Sequence, residues 1–202
     1  MTSETLLALV LFAFAASITP GPNNIMLLAS GANFGLRRTL PHMMGISIGH
    51  AVMVGLVGLG LLGLFEALPW LRGALMVVCA AYLLFLAWKI ANAAPPGDAP
   101  SDARPLTFLQ AAAFQWVNPK AWYMAIYAQT TFAPETGIMG AAWAGAVAVA
   151  TVFAMTNLPS VTVWAAAGTR LRRWLAAPGR LRAFNVTMAL LLVASLWPLL
   201  GG

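Results

Sequence analysis

The stretch "ITPGPNNIM", Ile18 to Met26, interrupts a run from Leu6 to Ala29 that is otherwise almost wholly apolar. An unbroken helix would satisfy all of its own backbone groups in hydrocarbon, so prolines, a glycine and asparagines at its centre call for a physical reason. Pro20 and Pro22 have no N–H to donate, which strips the carbonyls of Ala16 and Ile18 of their helical partners. Each proline also pushes its predecessor, Thr19 or Gly21, away from helical geometry, and Gly21 has access to dihedral angles closed to other residues. A helix restarting with Pro22 in its first turn presents N–H groups without intrahelical acceptors near Asn23 and Asn24. In hydrocarbon such groups survive only inside protein or around a polar cavity. The positive end of a half-helix is a natural seat for a carboxylate, and the break therefore predicts a binding place. A structural kink whose freed carbonyls are met by neighbouring groups is the competing reading.

The rest of the chain sets this break in a membrane. Of 202 residues, 61% are hydrophobic and 8% charged, and the mean hydropathy is +0.83, whereas a soluble domain carries about a quarter charged residues. Apolar runs long enough to cross a bilayer, about 20 residues each, fall at 4–30, 41–65, 69–92, 106–132, 137–167 and 182–200. They predict an all-α membrane protein of six transmembrane helices, one domain over residues 1–202. The first run resembles the apolar core of a secretory signal, but Glu4 and the lack of Lys or Arg before it argue for a span. The lone cysteine, Cys79, has no partner for an internal disulfide and suits a small apolar position.

The net charge of +6 reflects topology, not nucleic acid. Arg37 and Arg38 follow the first span, Lys89 and Arg104 flank the link after the third, and Arg170, Arg172, Arg173, Arg180 and Arg182 crowd the link after the fifth. The opposite links carry Arg72, Glu66 and Glu135. The positive-inside rule then puts both termini on the periplasmic side, and the last arginine cluster can meet anionic lipid head groups.

"AAPPGDAPSDARP", Ala93 to Pro105, is the one linker-like segment and is expected on the cytoplasmic side. It divides the chain into three-helix halves, 1–92 and 106–202. Because three is odd, the halves enter the membrane in opposite senses, the inverted repeat of many secondary transporters. The first span of each half is interrupted near mid-membrane: "TPGPNN" in the first and "VNPKAW" in the fourth. Paired breaks in corresponding helices are the sequence mark of a transporter binding site. In the second span, Gly45 and Gly49 form a small-residue face suited to close helix packing.

At the second break Pro119 frees the carbonyl of Gln115 and displaces Asn118 from helical geometry. Lys120 follows at the centre of a span with no other charge. An ammonium at that depth costs about 2.5–3.5 kcal/mol on insertion scales and needs a partner. Glu4, Glu66, Asp98, Asp102 and Glu135 all fall in loops or at span ends. Three answers stay open: loss of the lysine's proton, pairing with carbonyls freed at the breaks, or a carboxylate that arrives with a substrate. Gln115, Tyr123 and Tyr127 recur at helical spacing around Lys120 and offer amide and hydroxyl groups. In the fifth span, "TNLPS" places Asn157 and Ser160 beside Pro159, a weaker version of the same theme. His42 and His50 are the side chains that titrate near neutral pH when unperturbed, and His50 joins Lys120 as a candidate for proton coupling. The candidate substrate site is thus Pro20, Gly21, Pro22, Asn23, Asn24, Gln115, Asn118, Pro119, Lys120, Tyr123 and Asn157.

No phosphate loop, HExxH or CxxC is present, no intramembrane carboxylates cluster, and no serine sits in a nucleophile turn. Neither an enzyme nor a resident cofactor or metal is expected. The partners implied are a small solute and the lipid bilayer, with a homo-oligomer left open.

"ITPGPNNIMLLAS", "GISIGHAVMVGLVGLGL", "AAYLLFLAWKIA" and "FQWVNPKAW", in this order and spacing, resemble the LysE/RhtB family of amino-acid exporters. The PGPNN form and the Ala-Trp-Lys ending of the third span look most like its cysteine and O-acetylserine branch. The resemblance implies proton-coupled antiport that exports small amino acids across the bacterial inner membrane. A passive channel for small polar solutes is the alternative. Many members of that family have an aspartate where this chain has His50, so any coupling through that acid must run through another group here.

Overall fold

A computed structural model describes residues 1–93, 103–133 and 139–197. The linker residues 94–102 with Asp98 and Asp102, the link 134–138 with Glu135, and residues 198–202 lie outside them.

The described residues are helical. The first apolar run becomes α1 (Ser3–Ile18) and α2 (Pro22–Phe34), which meet at 55° across the proline-rich break. α3 (Leu36–Leu56) continues through a wide π-turn (Val57–Leu61) into the short α4 (Leu62–Ala67), with a kink at Gly60, where φ is 97°. α5 (Trp70–Ala91) completes the first half. After the linker come α6 (Phe108–Gln115), α7 (Pro119–Phe132), α8 (Met139–Leu171) and α9 (Pro178–Ala194). The sequence places both breaks, between α1 and α2 and between α6 and α7, where the structure has them.

Among the described residues, three stretches are long and apolar enough to cross a membrane, 36–61, 73–91 and 143–171, and a fourth if the bent α1–α2 pair is one span. That is the multi-pass membrane architecture in its coarse form. Taken singly, α6 with 8 residues, α7 with 14 and α9 with 17 are shorter than that criterion, and the α6–α7 pair is not among the candidate spans.

Two expected boundaries shift. The second span starts five residues before Pro41, because Gly35, with φ 81°, turns the chain between α2 and α3 in a single residue. A left-handed residue of this kind is where glycine is favoured. Arg37 and Arg38 therefore sit in the first turn of α3, not in a loop. Arg38 donates to the Ala103 carbonyl at 2.7 Å. Pro159 does not break the fifth span either: α8 runs through it for 33 residues.

The packing matches a lipid solvent. Large apolar side chains such as Leu7, Leu11, Val77, Leu84 and Leu190 stay exposed, so burial of apolar area cannot by itself drive helices together in hydrocarbon. Close backbone contact does instead. A Cβ on Gly31 would strike the Ala165 carbonyl and one on Gly168 the Leu28 carbonyl, which locks α2 against α8. Gly45 and Gly49 do the same for α3 against α6, with a Cβ on Gly49 only 2.6 Å from Ala112 Cα. Four buried clusters result, the smallest formed by Ala32, Leu175 and Leu181. Ile25, Met26, Leu83, Phe114 and Leu192 join α2, α5, α6 and α9. Leu9, Val54, Met124 and Phe153 join α1, α3, α7 and α8. Leu27, Ile46, Ala111 and Ala165 join α2, α3, α6 and α8. The two breaks lie between these clusters.

Candidate functional site

At the first break every freed carbonyl finds a donor. The Ala16 oxygen accepts from Thr19 Oγ1 at 2.9 Å, and the Ile18 oxygen from Trp164 Nε1 of α8, also at 2.9 Å. Asn24 turns its amide back over the gap and donates to the Ser17 and Thr19 carbonyls at 2.8 and 2.7 Å. Lys120 Nζ, from α7, donates to the Thr19 carbonyl at 2.7 Å, to Thr19 Oγ1 at 2.8 Å and to the Pro20 carbonyl at 3.2 Å. Of the three answers to the lysine's charge, the structure holds the pairing with freed carbonyls. The electrostatics are favourable as well, since these oxygens form the negative end of α1.

Gly21 serves this contact by its size. Its φ of 179° and ψ of 175° describe extended backbone open to any residue, contrary to the expectation of a special conformation. A Cβ there would lie 2.8 Å from Lys120 Cδ and 3.2 Å from Nζ, so a side chain would displace the lysine stem.

α2 begins with Pro22 and has no side-chain cap. Among the described residues no acceptor bonds the backbone N–H groups of Asn23 and Asn24, so the positive end of the half-helix is open. The Asn23 side chain is occupied: it exchanges hydrogen bonds with the fully buried Gln115, at 2.8 and 3.2 Å, and so ties the two breaks together. At the second break Asn118 takes extended geometry, and its Oδ1 accepts from the Lys120 backbone N–H at 3.1 Å.

Between the breaks lies a cleft of about 20 Å³ lined by residues that include Ser17, Gly21, Asn23, Asn24, His50, Asn118, Lys120 and Asn157. That is room for one water molecule. Asn157 Oδ1 accepts from Ser47 Oγ at 3.0 Å, and Asn157 Nδ2 donates to Ser17 Oγ at 3.2 Å, joining α8, α3 and α1. His50 is 2% exposed, stands edge-on to Phe153 with ring centroids 5.2 Å apart, and has no hydrogen-bond partner on either ring nitrogen among the described residues. His42, also 2% exposed, is likewise unpartnered but does not line the cleft.

Pro20, Pro22, Gln115 and Pro119 frame the cleft without lining it. Tyr123 departs from the expectation altogether: it is 64% exposed and stacks on Tyr127 at 6.0 Å. The cleft-facing positions of α7 are Lys120, Ala121 and Met124. At about 100° per residue, Tyr123 projects roughly a right angle away from the centre of that stripe. Ser17, Thr19, Ser47 and Trp164 are polar partners that sequence reasoning passed over. Ser17, a hydroxyl between the two carbonyls that the prolines free, carried a signal; Trp164 carried none, because its partner lies 146 residues away.

Comparison with known proteins agrees with this architecture. The sequence profile of the LysE type translocator family matches residues 14–195. The chain is 32% identical over 194 residues to proteins named cysteine/O-acetylserine efflux protein in Escherichia coli O9:H4 (strain HS), Escherichia coli (strain K12) and Shigella sonnei (strain Ss046), covering 96% of this chain and 96% of each relative. No solved structure matches the chain. With a family match over residues 14–195 and relatives 32% identical over 96% of its length, the chain belongs to the LysE type translocator family of membrane amino-acid exporters.

Proposed function

We propose that the chain is a secondary active transporter that exports a small zwitterionic amino acid of the cysteine or O-acetylserine class across the bacterial inner membrane by proton antiport. The observation that carries this reading is the meeting of Lys120 with the broken α1–α2 segment beside a polar cleft. The substrate carboxylate would bind at the open N–H groups of Asn23 and Asn24, near the Lys120 ammonium, with Asn24, Asn118 and Asn157 as polar neighbours. Gly21 and the prolines shape the break, and Gln115 holds Asn23. Lys120 and His50 are the candidates for the coupled proton.

A cleft that holds one water must widen to admit an amino acid. Rocking between two inverted three-helix halves supplies that motion. In support, helices at matching places in the two halves pack on one another, α3 on α8 and α5 on α9, which is compatible with a pseudo-two-fold axis. Both termini are then periplasmic. Arg38 reaches the Ala103 carbonyl and Arg172 lies beside the Gly35 corner, which gathers basic residues at one end of the bundle.

The test is counterflow of labelled L-cysteine, kept reduced, in proteoliposomes. Saturable counterflow is the expected result. Flux proportional to concentration without counterflow would replace the exporter with a passive channel.

A further inference from the structure

We infer that His50 is the group over which substrate and proton compete: its neutral imidazole accepts a hydrogen bond from the α-ammonium of the bound amino acid, and a proton on the same ring excludes that ammonium. This rests on the reading of the cleft as the amino-acid site.

A zwitterion brings a cation as well as an anion. The carboxylate has the α2 N-terminus and Lys120, but the ammonium needs an acceptor, and the cleft is lined by no carboxylate. Most of its polar oxygens are already engaged. Asn23 Oδ1 accepts from Gln115, Asn118 Oδ1 from the Lys120 backbone, Asn157 Oδ1 from Ser47, and Ser17 Oγ from Asn157. His50 differs from all of these. It is buried, it lines the cleft, and both ring nitrogens lack partners among the described residues. A buried polar group of this kind normally has a partner, and His50, unlike the equally unpartnered His42, lacks one where its ring meets the cleft.

The surroundings keep the choice exclusive. Among the helices packed against α3, α2 and α6 carry no titratable side chain, and α8 carries Arg170 at its far end. α7 brings Lys120 and the outward Tyr123 and Tyr127, and the π-turn leads to Glu66 in α4. α1, across the cleft, carries Glu4 in its first turn. α3 itself adds Arg37, Arg38 and His42. In the cleft the standing charge is therefore the Lys120 ammonium, which the Thr19 and Pro20 oxygens hold in place. A proton on His50 makes a second cation there and turns both ring nitrogens into donors. A third cation, the substrate's ammonium, then loses the imidazole as its acceptor and meets two like charges in place of one. When the cleft opens toward the acidic side, water delivers a proton to the imidazole and the amino acid leaves. On the other side the proton returns to water and a new ammonium takes its place. One site thus carries either solute but never both, which is the condition for antiport.

Counterflow of reduced, labelled L-cysteine is measured with equal pH on both sides, from pH 4 to 8, a range that extends well below the titration of a free imidazole. In the wild-type protein the KM rises toward about tenfold per unit as pH falls through the imidazole's titration, with the maximal rate little changed. In His50→Gln the KM is raised and independent of pH, and a pH gradient no longer drives accumulation. A His50→Gln protein that keeps the wild-type pH dependence, or still accumulates cysteine against a gradient, overturns the proposal. Saturable wild-type counterflow with a pH-independent KM also overturns it, yet leaves the exporter reading standing. Absence of saturable counterflow in the wild type is the failure of the exporter reading itself. Should the variant not fold, calorimetry of cysteine binding to the wild type in two buffers of different ionisation enthalpy decides. Release of up to about one proton per cysteine at acidic pH supports the competition, and no release from pH 4 to 8 refutes it.

Discussion

The two helix breaks solve the same backbone problem in opposite ways. Between α6 and α7 the chain closes on itself: the N–H groups of Trp116, Val117 and Asn118 bond the carbonyls of Ala113, Phe114 and Gln115, and Asn118 caps the next helix. Trp122 Nε1 then covers the Trp116 carbonyl at 2.8 Å. Between α1 and α2 three of the carbonyls, those of Ile18, Thr19 and Pro20, accept from side chains of α7 and α8, and the N–H groups that follow have no side-chain cap. A self-contained break is a rigid platform that aims Lys120. A break held by distant side chains is the receptive part, because changing those contacts changes its shape. That contrast assigns delivery of charge to the second break and binding and movement to the first.

Lys120→Ala removes the link between them and should have the largest effect: a loss of cysteine counterflow of at least about 100-fold, near 2.8 kcal/mol at about 1.4 kcal/mol per decade. Lys120→Arg should recover part of that rate if charge at this position is what matters. Asn24→Ala comes next. It leaves the Ser17 carbonyl without a donor, a cost of about 1–3 kcal/mol, and should lower the melting temperature in detergent by about 2–4 °C per kcal/mol while slowing counterflow. Trp164→Phe, which strips the Ile18 carbonyl of its donor, should destabilise by about 1 kcal/mol, read in the same melt. Asn118→Ala should cost no more than a helix cap, about 1 kcal/mol, since the surrounding turn keeps its backbone bonds; a larger loss than Asn24→Ala would reverse the roles given to the two breaks. Tyr123→Phe should leave counterflow within about twofold of wild type, because the hydroxyl points away from the cleft.

Much of this was legible before any coordinates. Proline chemistry located both interruptions, because a missing N–H and a clash with the preceding residue act locally wherever the chain folds. The electrostatic misfit of Lys120 was equally plain, since no acid in the sequence lies at its depth. The failures share a cause. Tyr123 was grouped with Lys120 by helical spacing, but spacing gives a stripe and not the centre of the face that packs inward. The start of α3 was set at Pro41, but one positive-φ glycine made the turn sooner. At Gly21 the sequence suggests conformational freedom, whereas the structure uses its missing side chain to leave room for a lysine stem.

The sequence by itself determined that this chain lives in a bilayer, where its helices break, and that an ammonium is stranded beside a break, because these follow from transfer energies and bond geometry within a few residues. Only the tertiary structure decided what meets that ammonium: the Thr19 and Pro20 oxygens some 100 residues away, with His50 on the same cleft and without a partner among the described residues. Hydrogen-bond partners distant in sequence are fixed by how the helices dock, and docking in hydrocarbon is set by close backbone contacts at glycines that no local pattern orients.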